Sequence, residues 1–294
     1  MPIDPQRAPL LLQRLDRLLT RLPSAPAPER VHRFRTTVRR LETLLDALVA
    51  EPGRNQRKLM KQLGRLRRRA GRVRDLDVQM AALKTLKMGD SRRKRQLMDD
   101  LGQGRFRREK KLVDALDKTT RRQLRRRLQR LQADLARAGE SPAAAPAGTE
   151  ADPVAAALRE FARLARECGP LNEQNLHDFR MRCKRARYTA EMGGETPRVQ
   201  EVIALLKQIQ DSVGAWHDWL VLSARAEKLF GDHSDVPLLA ALRNVTRAKF
   251  SEAVRAAADA KRRLLELQRS LESGAKQVSR VPARAPQRVA GAIA

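Results

Sequence analysis

Aromatic residues are scarce in this sequence: nine of its 294 residues are Phe, Trp or Tyr. Leucine, alanine and valine must therefore fill most of any core. Cysteine is also rare, with Cys168 and Cys183 alone, so a disulfide framework is excluded and a reducing cytoplasm is the expected compartment. No run of 18 apolar residues occurs, which argues against a transmembrane helix. The first residues also lack the continuous apolar core of a secretory signal peptide.

Acidic residues are few relative to basic ones. The chain carries 62 Lys and Arg against 34 Asp and Glu, a net charge of +28. An arginine-rich composition alone can reflect the base composition of a genome, but that explanation does not account for so large an excess of positive charge. Self-repulsion on this scale weakens the compact state, and arginine forks bind phosphate oxygens in pairs. The charge therefore predicts a polyanionic ligand: a nucleic acid, a membrane surface or a phosphate polymer.

The pattern of apolar residues favours helices throughout. No segment shows the sustained polar–apolar alternation of half-buried strands, and the abundant Ala, Leu and Arg favour helix. Proline and glycine clusters divide the chain, with Gly102, Gly104 and Gly214 as further candidate breaks. The predicted helices cover residues 4–22, 29–50, 54–74 continuing to 87, 91–138 in one or two pieces, 152–167, 173–192, 197–213, 215–230 and 236–272. The sequence therefore predicts an all-α protein.

Two blocks of the sequence occur twice. Val-His-Arg-Phe-Arg at 31–35 aligns with Leu-His-Asp-Phe-Arg at 176–180, and Gly-Arg-Val-Arg-Asp at 71–75 aligns with Gly-Ala-Trp-His-Asp at 214–218. The two offsets, 145 and 143 residues, differ by no more than one short insertion in a loop. Two independent matches at nearly one offset indicate an internal repeat.

The repeat predicts the organisation of the chain. One helical domain is expected over residues 5–273, with repeat one at 5–138 and repeat two at 152–273. The Pro/Ala/Gly-rich segment at 139–151 is predicted to be a linker. Residues 274–294, with two prolines and scattered arginines, are predicted to form a flexible basic tail.

Each copy of the first block belongs to a helix with one apolar and one cationic side. At 100° per residue, the apolar sides hold Val31, Phe34, Val38, Leu41, Leu45 and Leu48 in the first half and Leu176, Phe179, Cys183, Ala186 and Ala190 in the second. The opposite sides carry His32, Arg35 and Arg39, and His177, Arg180, Lys184 and Arg187. Acidic side chains are not expected three or four residues away from Arg35 or Arg39 on the same helix. These cations are therefore predicted to face a ligand instead of an intrahelical partner.

The helix predicted from residue 54 to residue 74 is more basic still, with ten Lys or Arg residues and no acidic one. Like charges at this density oppose helix formation by roughly tenths of a kcal/mol for each i,i+4 pair. A bound anion chain would reverse that cost. Asp75 and Asp218, one in each half, are predicted to orient an arginine or cap a helix, not to catalyse.

Catalytic signatures are missing from the sequence. It contains no Gly-x-x-x-x-Gly-Lys phosphate loop, no Gly-x-Ser-x-Gly elbow and no cysteine–histidine spacing that suits zinc. Phosphoryl-transfer enzymes hold magnesium through carboxylates, and Asp75 and Asp77 are candidates by position alone. The sequence predicts a binding protein without enzymatic activity, metal or cofactor.

The doubled His-x-x-Arg-x-x-x-Arg/Lys-Arg motif at 32–40 and 177–185, with the two Gly-x-x-x-Asp blocks, resembles the CHAD family, the conserved histidine α-helical domain. The resemblance covers residues 5–273 and implies two pseudo-symmetric four-helix bundles around a basic central groove. It also implies binding of inorganic polyphosphate and targeting to polyphosphate granules in the cytoplasm of a bacterial cell. The binding residues that this implies, together with neighbouring cations, are His32, Arg35, Arg39, Arg40, Arg72, Arg74, His177, Arg180, Lys184, Arg185 and Arg187.

The second half departs from the first at one position, where His217 replaces Arg74. Three other functions remain open at this stage. Non-specific nucleic-acid binding is the main alternative, although few aromatic residues are free to stack on bases. A polyphosphate hydrolase would need a carboxylate cluster that the sequence does not show. A scaffold that recruits other proteins to granules overlaps with the leading hypothesis.

Overall fold

The computed structural model describes residues 7–24, 26–49, 51–89, 91–140, 152–231 and 236–278. Every regular element in these stretches is an α-helix, which confirms the predicted all-α fold. The helices are α1 (Arg7–Arg21), α2 (Pro28–Leu48), α3 (Arg54–Thr85), α4 (Arg92–Asp114), α5 (Lys118–Glu140), α6 (Pro153–Glu167), α7 (Leu176–Ala190), α8 (Pro197–Phe230) and α9 (Pro237–Val278). None of the described helices has a stretch long and apolar enough to cross a membrane.

A first core lies inside a four-helix arrangement of α1, α2, the first part of α3, and α5. The apolar side predicted for α2 is buried here, and its Val31, Phe34 and Leu41 are each fully inaccessible. Leucines from the other three helices complete this core, including Leu15, Leu63 and Leu124. Because the apolar side points inward, the cationic side of α2 faces away from its own bundle.

A second core repeats this arrangement with α6, α7, the first part of α8, and the later part of α9. Phe161 and Phe179 meet edge to face with ring centroids 6.1 Å apart, and Trp216 is almost fully buried beside them. The predicted apolar side of α7 is buried in this core, as in α2. The cationic side of α7 therefore also faces away from its bundle.

A third, central core joins the two halves. It combines the later parts of α3 and α8 with α4 and the start of α9, through residues that include Leu83, Leu101, Trp219, Leu222 and Leu239. Helices α3 and α8 are 32 and 34 residues long, so each of them spans its own bundle and then enters the central core. Two long helices thus hold both bundles in a fixed relation, with α2 and α7 in contact between them.

The structure corrects three of the predicted helix boundaries. Helix α8 continues through Gly214, because that glycine packs within the helix against a neighbouring arginine. The 91–138 segment is divided at residues 115–117 and not at Gly102 or Gly104. Asp117 accepts a hydrogen bond from the Thr120 amide at 2.7 Å and so starts α5. The first half consequently has five helices. Its α4 enters the central core and its α5 enters the first core, whereas in the second half the single long helix α9 enters both cores on that side.

Some predicted boundaries fall outside the residues that the structure describes. These include the predicted start of the first helix at residue 4, the 141–151 part of the linker, and the 279–294 part of the basic tail. Helix α5 extends to Glu140 and α9 to Val278, a few residues into the segments that the sequence assigned to linker and tail.

The central core predicts that damage in the first half destabilises the second. Leu83 of α3 is fully buried in it, so Leu83→Ala should lower the free energy of unfolding by about 2–5 kcal/mol. The two tryptophans of the chain, Trp216 and Trp219, lie in α8, and their fluorescence in a urea titration should report the loss. Leu10→Ala, at a leucine that is 60% exposed, is the control. An unchanged tryptophan midpoint in Leu83→Ala would mean that the halves unfold independently.

Candidate anion-binding groove

The cationic sides of α2 and α7 open into one groove of about 1190 Å³ between the two halves. Helices α1 and α3 add residues from the first half, and α8 adds residues from the second. The lining includes fourteen arginines and lysines and four carboxylates. They are Arg14, Arg17, Arg21, Arg30, Arg33, Arg35, Arg39, Arg40, Arg67, Arg74, Arg180, Lys184, Arg187 and Lys207, with Glu29, Asp75, Asp211 and Asp218.

In the first half, Arg35 of α2 lies across α3 at Gly71. A Cβ at Gly71 would stand 3.7 Å from the Arg35 Nε and 3.9 Å from its Cζ, so the absence of a side chain there leaves room for the guanidinium. Asp75, one turn later on α3, forms a 3.8 Å ion pair with Arg35. The Gly-x-x-x-Asp block of α3 is therefore the place where an arginine from the neighbouring helix packs.

The second half builds the same arrangement more tightly. A Cβ at Gly214 of α8 would stand 2.9 Å from a terminal nitrogen of Arg180. The Arg180 Nε donates a hydrogen bond to the Gln210 carbonyl oxygen at 3.0 Å. Asp218 follows one turn after the glycine and feels the positive charge of Arg180. The ion pair between Asp75 and Arg35 suits the predicted role of Asp75 in orienting an arginine, whereas that role stays a prediction for Asp218.

The two aspartates sit where the halves meet. Burial raises the pKa of Asp75 above its ordinary value, although Arg35, Lys184 and Arg180 oppose the change. Burial also raises the pKa of Asp218 to about 6, against the opposing effect of Arg180. Each aspartate feels cations of the other half, so the two motif copies act on one shared electrostatic environment.

Lys184 is the clearest sign of crowding among the cations. Burial is the largest cause that lowers its pKa to about 7, and the charges of Arg180, Arg35, Arg39 and Arg187 lower it further. Two of these arginines belong to each half. An amine with this pKa is only partly charged near neutral pH. A bound anion would restore its charge.

Among the described residues, three histidines line the groove, and two of them, His32 and His177, occupy equivalent places in the two halves. His177 of α7 and His217 of α8 lie with ring centroids 4.3 Å apart. Burial lowers the pKa of His217 to about 4, and the charges of His177 and Arg180 contribute. In the first half Arg74 stands where His217 does, and burial followed by the charges of Arg74 and Arg35 lowers the pKa of His32. His217 is therefore neutral at pH 7.

The expectation that acidic side chains are missing beside Arg39 is wrong. Glu42, three residues later on the same helix face, lies 3.9 Å from the Arg39 Nε and 3.1 Å from the Arg67 Nε. Burial and the charge of Arg67 lower the pKa of Arg39, and Glu42 offsets this. A carboxylate three residues away on a helix always shares the arginine's face, so the sequence contained this signal.

Two of the predicted ligands have a structural partner within the protein. Arg40 Nε lies 2.8 Å from Glu191 Oε2, and Arg187 donates to Glu191 Oε1 at 2.9 Å. Glu191 is largely buried and follows α7, whereas Arg40 belongs to α2. The three side chains therefore join the halves at one end of the groove, and Arg40 and Arg187 reach a ligand only as partly neutralised cations.

Nine of the eleven residues predicted for the site line the groove. The other two, Arg72 and Arg185, are exposed and do not. The sequence reasoning did not select Arg14, Arg17 and Arg21 of α1 or Arg67 of α3. The α1 residues repeat at i, i+3 and i+7 opposite a leucine stripe, and this spacing is the signal that could have found them.

Carboxylates do not gather in a metal-binding arrangement. In the part of the chain that the structure describes, no three His, Cys, Asp or Glu side chains come together as ligands of one ion. Asp77, considered earlier together with Asp75, faces a different direction and forms a 2.6 Å ion pair with Arg105 of α4.

Comparison with known proteins agrees with this architecture. The sequence model of the CHAD domain matches residues 10–227, about three quarters of the chain. The chain belongs to the CHAD family. Its fold is similar to the crystal structure of the CHAD domain from the plant Ricinus communis, with a TM-score of 0.65 and 19% sequence identity over 88% of this chain and 90% of that one. No curated protein matches the chain in sequence.

In this CHAD domain, Gly71 and Gly214 are predicted to respond differently to substitution by alanine. Gly71→Ala should raise the free energy of unfolding by about 0.5–1 kcal/mol, because alanine favours helix and the new Cβ makes ordinary contacts. Gly214→Ala should gain less or lose stability, because its Cβ displaces Arg180 from the Gln210 carbonyl. Urea denaturation of the two variants measures the difference. Equal gains would show that Arg180 is not held against Gly214.

Proposed function

We propose that this CHAD-family protein binds inorganic polyphosphate in the groove between its two halves, as a binding module and not as an enzyme. The observation that supports this most directly is the excess of arginine and lysine over carboxylate in the groove lining. Polyphosphate carries a negative charge on every phosphate unit along one flexible strand. A groove lined on both walls by guanidinium forks suits such a strand.

Crowded cations supply the free energy for binding. Lys184 and Arg35 both have a pKa lowered chiefly by burial and then by neighbouring charges; for Arg35 the charge of Arg74 adds to the effect while Asp75 opposes it. This mutual repulsion is present in the free protein and is relieved when an anion enters. Release of counterions from the polymer adds to the affinity and makes it fall with salt.

The groove offers little to a nucleobase. Among the described lining residues, Tyr188 is the one aromatic side chain other than the histidines. It is buried, and the Arg187 guanidinium covers its ring at 4.7 Å from the centroid. Single-stranded nucleic acids gain about 1–3 kcal/mol for each base stacked on an aromatic ring. A polymer without bases needs no stacking energy, so the lack of accessible aromatic rings does not weaken its binding.

The carboxylates of the groove favour binding over catalysis. Asp75 pairs with Arg35 of the neighbouring helix, and Asp218 feels the charge of Arg180, so both carboxylates act on cations of the groove. Retention of a long phosphate polymer without cleavage suits a protein that associates with polyphosphate granules in the cytoplasm. Granule association is the physiological setting that we propose.

Two variants test the site. Arg67→Gln/Arg74→Gln removes two groove cations that lie seven residues apart on α3. Arg159→Gln/Arg166→Gln removes two exposed cations with the same spacing on α6, outside the groove lining. With charge-assisted hydrogen bonds of about 1.5–3 kcal/mol each, the groove variant should bind labelled polyphosphate at least about tenfold more weakly. The α6 variant should bind like the wild type.

Competition with duplex DNA separates this proposal from general polyanion binding. Long-chain polyphosphate should displace labelled polyphosphate from the wild type far better than duplex DNA does, at equal phosphate concentration and near-physiological salt. If duplex DNA competes equally and the groove variant behaves like the α6 variant, the groove is not a polyphosphate site.

Binding of polyphosphate is expected to be coupled to protonation of the Lys184 amine. Because its pKa is about 7 in the free protein, it is mostly neutral at pH 8, and a bound polyphosphate should raise that pKa and draw in a proton. Affinity should therefore fall as the pH rises from 7 to 9. Calorimetry at pH 8 in two buffers with different ionisation enthalpies measures the proton uptake, and Lys184→Met should remove it. Uptake that persists in Lys184→Met would assign the proton to another group.

A further inference from the structure

Most of the excess positive charge lies in the first half. Residues 5–138 carry 38 Lys and Arg against 14 Asp and Glu, whereas residues 152–273 carry 20 against 17. Both halves nevertheless contribute to the groove and share the motifs that build it. Most of the first half's surplus therefore serves something other than the shared groove or the shared fold.

Much of the surplus lies along one face of α3. Eight cations fall within about 120° of the helix surface, opposite the buried leucines of the first core and on a different face from the groove cations Arg67 and Arg74. We call this set the outer stripe. Its members are Arg54, Arg57, Lys58, Lys61, Arg65, Arg68, Arg69 and Arg72.

The outer stripe is exposed and largely uncompensated. It extends about 27 Å along the helix, and no acidic residue interrupts it. Arg69 donates to the Lys111 carbonyl oxygen of α4 at 2.7 Å. In the part of the chain that the structure describes, none of the eight forms an ion pair, whereas second-half cations such as Arg263 and Lys249 are paired with glutamates.

The corresponding positions of α8 show that the fold does not need the stripe. With Gly71 aligned to Gly214, the eight stripe positions correspond to a set that contains no cation. They are Pro197, Gln200, Glu201, Ala204, Gln208, Asp211, Ser212 and Ala215. The groove motif is thus present in both halves, while the stripe is present in one. Like charges at i,i+3 and i,i+4 also oppose helix formation, so a structural purpose does not explain them.

A small cleft extends the stripe beyond Arg72. It has a volume of about 200 Å³, with Leu76 and Gly104 among its lining residues and Arg107, Arg108 and Lys111 around it. The hydrogen bond between Arg69 and Lys111 places the end of α4 directly beside the stripe. The cleft adds a concave, cationic recess, large enough to admit a phosphate group, at one end of an otherwise convex surface.

We propose that the outer stripe and this cleft form a second polyanion site that binds the backbone of a nucleic-acid duplex without sequence specificity. A convex helix face touches a ligand from one side, which gives little advantage to a flexible strand that must be ordered on binding. A duplex is already rigid and carries one charge for about every 1.7 Å of its length. The stripe has no aromatic residue, so its contacts are to phosphates.

The test measures binding of a labelled duplex of about 20 base pairs between roughly 50 and 200 mM salt. The stripe variant is Arg57→Gln/Lys61→Gln/Arg65→Gln/Arg68→Gln. Its matched control, Arg159→Gln/Arg166→Gln/Lys228→Gln/Arg255→Gln, removes three arginines and one lysine from exposed second-half positions. The stripe variant should lose about tenfold or more in duplex affinity at low salt, and its log–log salt slope should become less steep by about 3–4. The control should keep both values.

Measuring polyphosphate binding to the same variants distinguishes the outer stripe from the groove. The stripe variant should retain it, and a groove filled with short-chain polyphosphate should still allow the duplex to bind. Equal duplex affinities of the stripe variant and its control would overturn the proposal, as would a wild type that does not bind duplex at low salt. A parallel loss of polyphosphate and duplex affinity would show one continuous surface and also overturn it. Thermal melting should show the stripe variant at least as stable as the wild type.

Discussion

Two arginines, Arg35 and Arg180, cross the neighbouring long helix at a glycine, and the arrangement of the groove depends on these crossings. At Gly214 the Arg180 guanidinium takes volume that a Cβ would fill, whereas at Gly71 a Cβ would make ordinary contact with Arg35. The crossing brings α2 onto α3 and α7 onto α8 with their cationic sides turned toward the other half. A side chain larger than alanine at Gly71, or any side chain at Gly214, would displace the arginine. The spacing of a short motif therefore decides where the charge lies.

Cations packed this closely need the apolar cores to hold them together. Three cores, two within the halves and one between them, bury the leucines that oppose the repulsion. Carboxylates are placed where they organise cations without neutralising the groove. Glu42 holds Arg39 and Arg67, Glu191 joins Arg40 to Arg187, and Asp75 pairs with the crossing Arg35. The remaining repulsion appears in the lowered pKa of the buried Lys184.

Local patterns of the sequence were sufficient to predict the helices and their inward faces. The apolar sides of α2 and α7 are buried as the 3.6-residue period requires, and Phe34 and Phe179 are fully inaccessible. Glycine was the misleading signal. Because glycine has a low helix propensity, Gly102, Gly104 and Gly214 were candidate breaks, but all three lie within helices, and Gly104 and Gly214 each have an arginine from another helix packed against them. Sequence alone does not distinguish the two uses, because the decisive neighbour lies on another helix.

Local sequence patterns also could not predict the contacts between the two halves. The pair Arg40–Glu191 joins residues 151 positions apart, and neither block of the repeat contains Glu191. The central core has the same character, since Leu83 and Leu222 belong to different halves and come together only when α3 and α8 are both continuous. Once those two helices are continuous, the bundles cannot rotate independently. The groove is then built into the fold, and its cations are held close together by the cores.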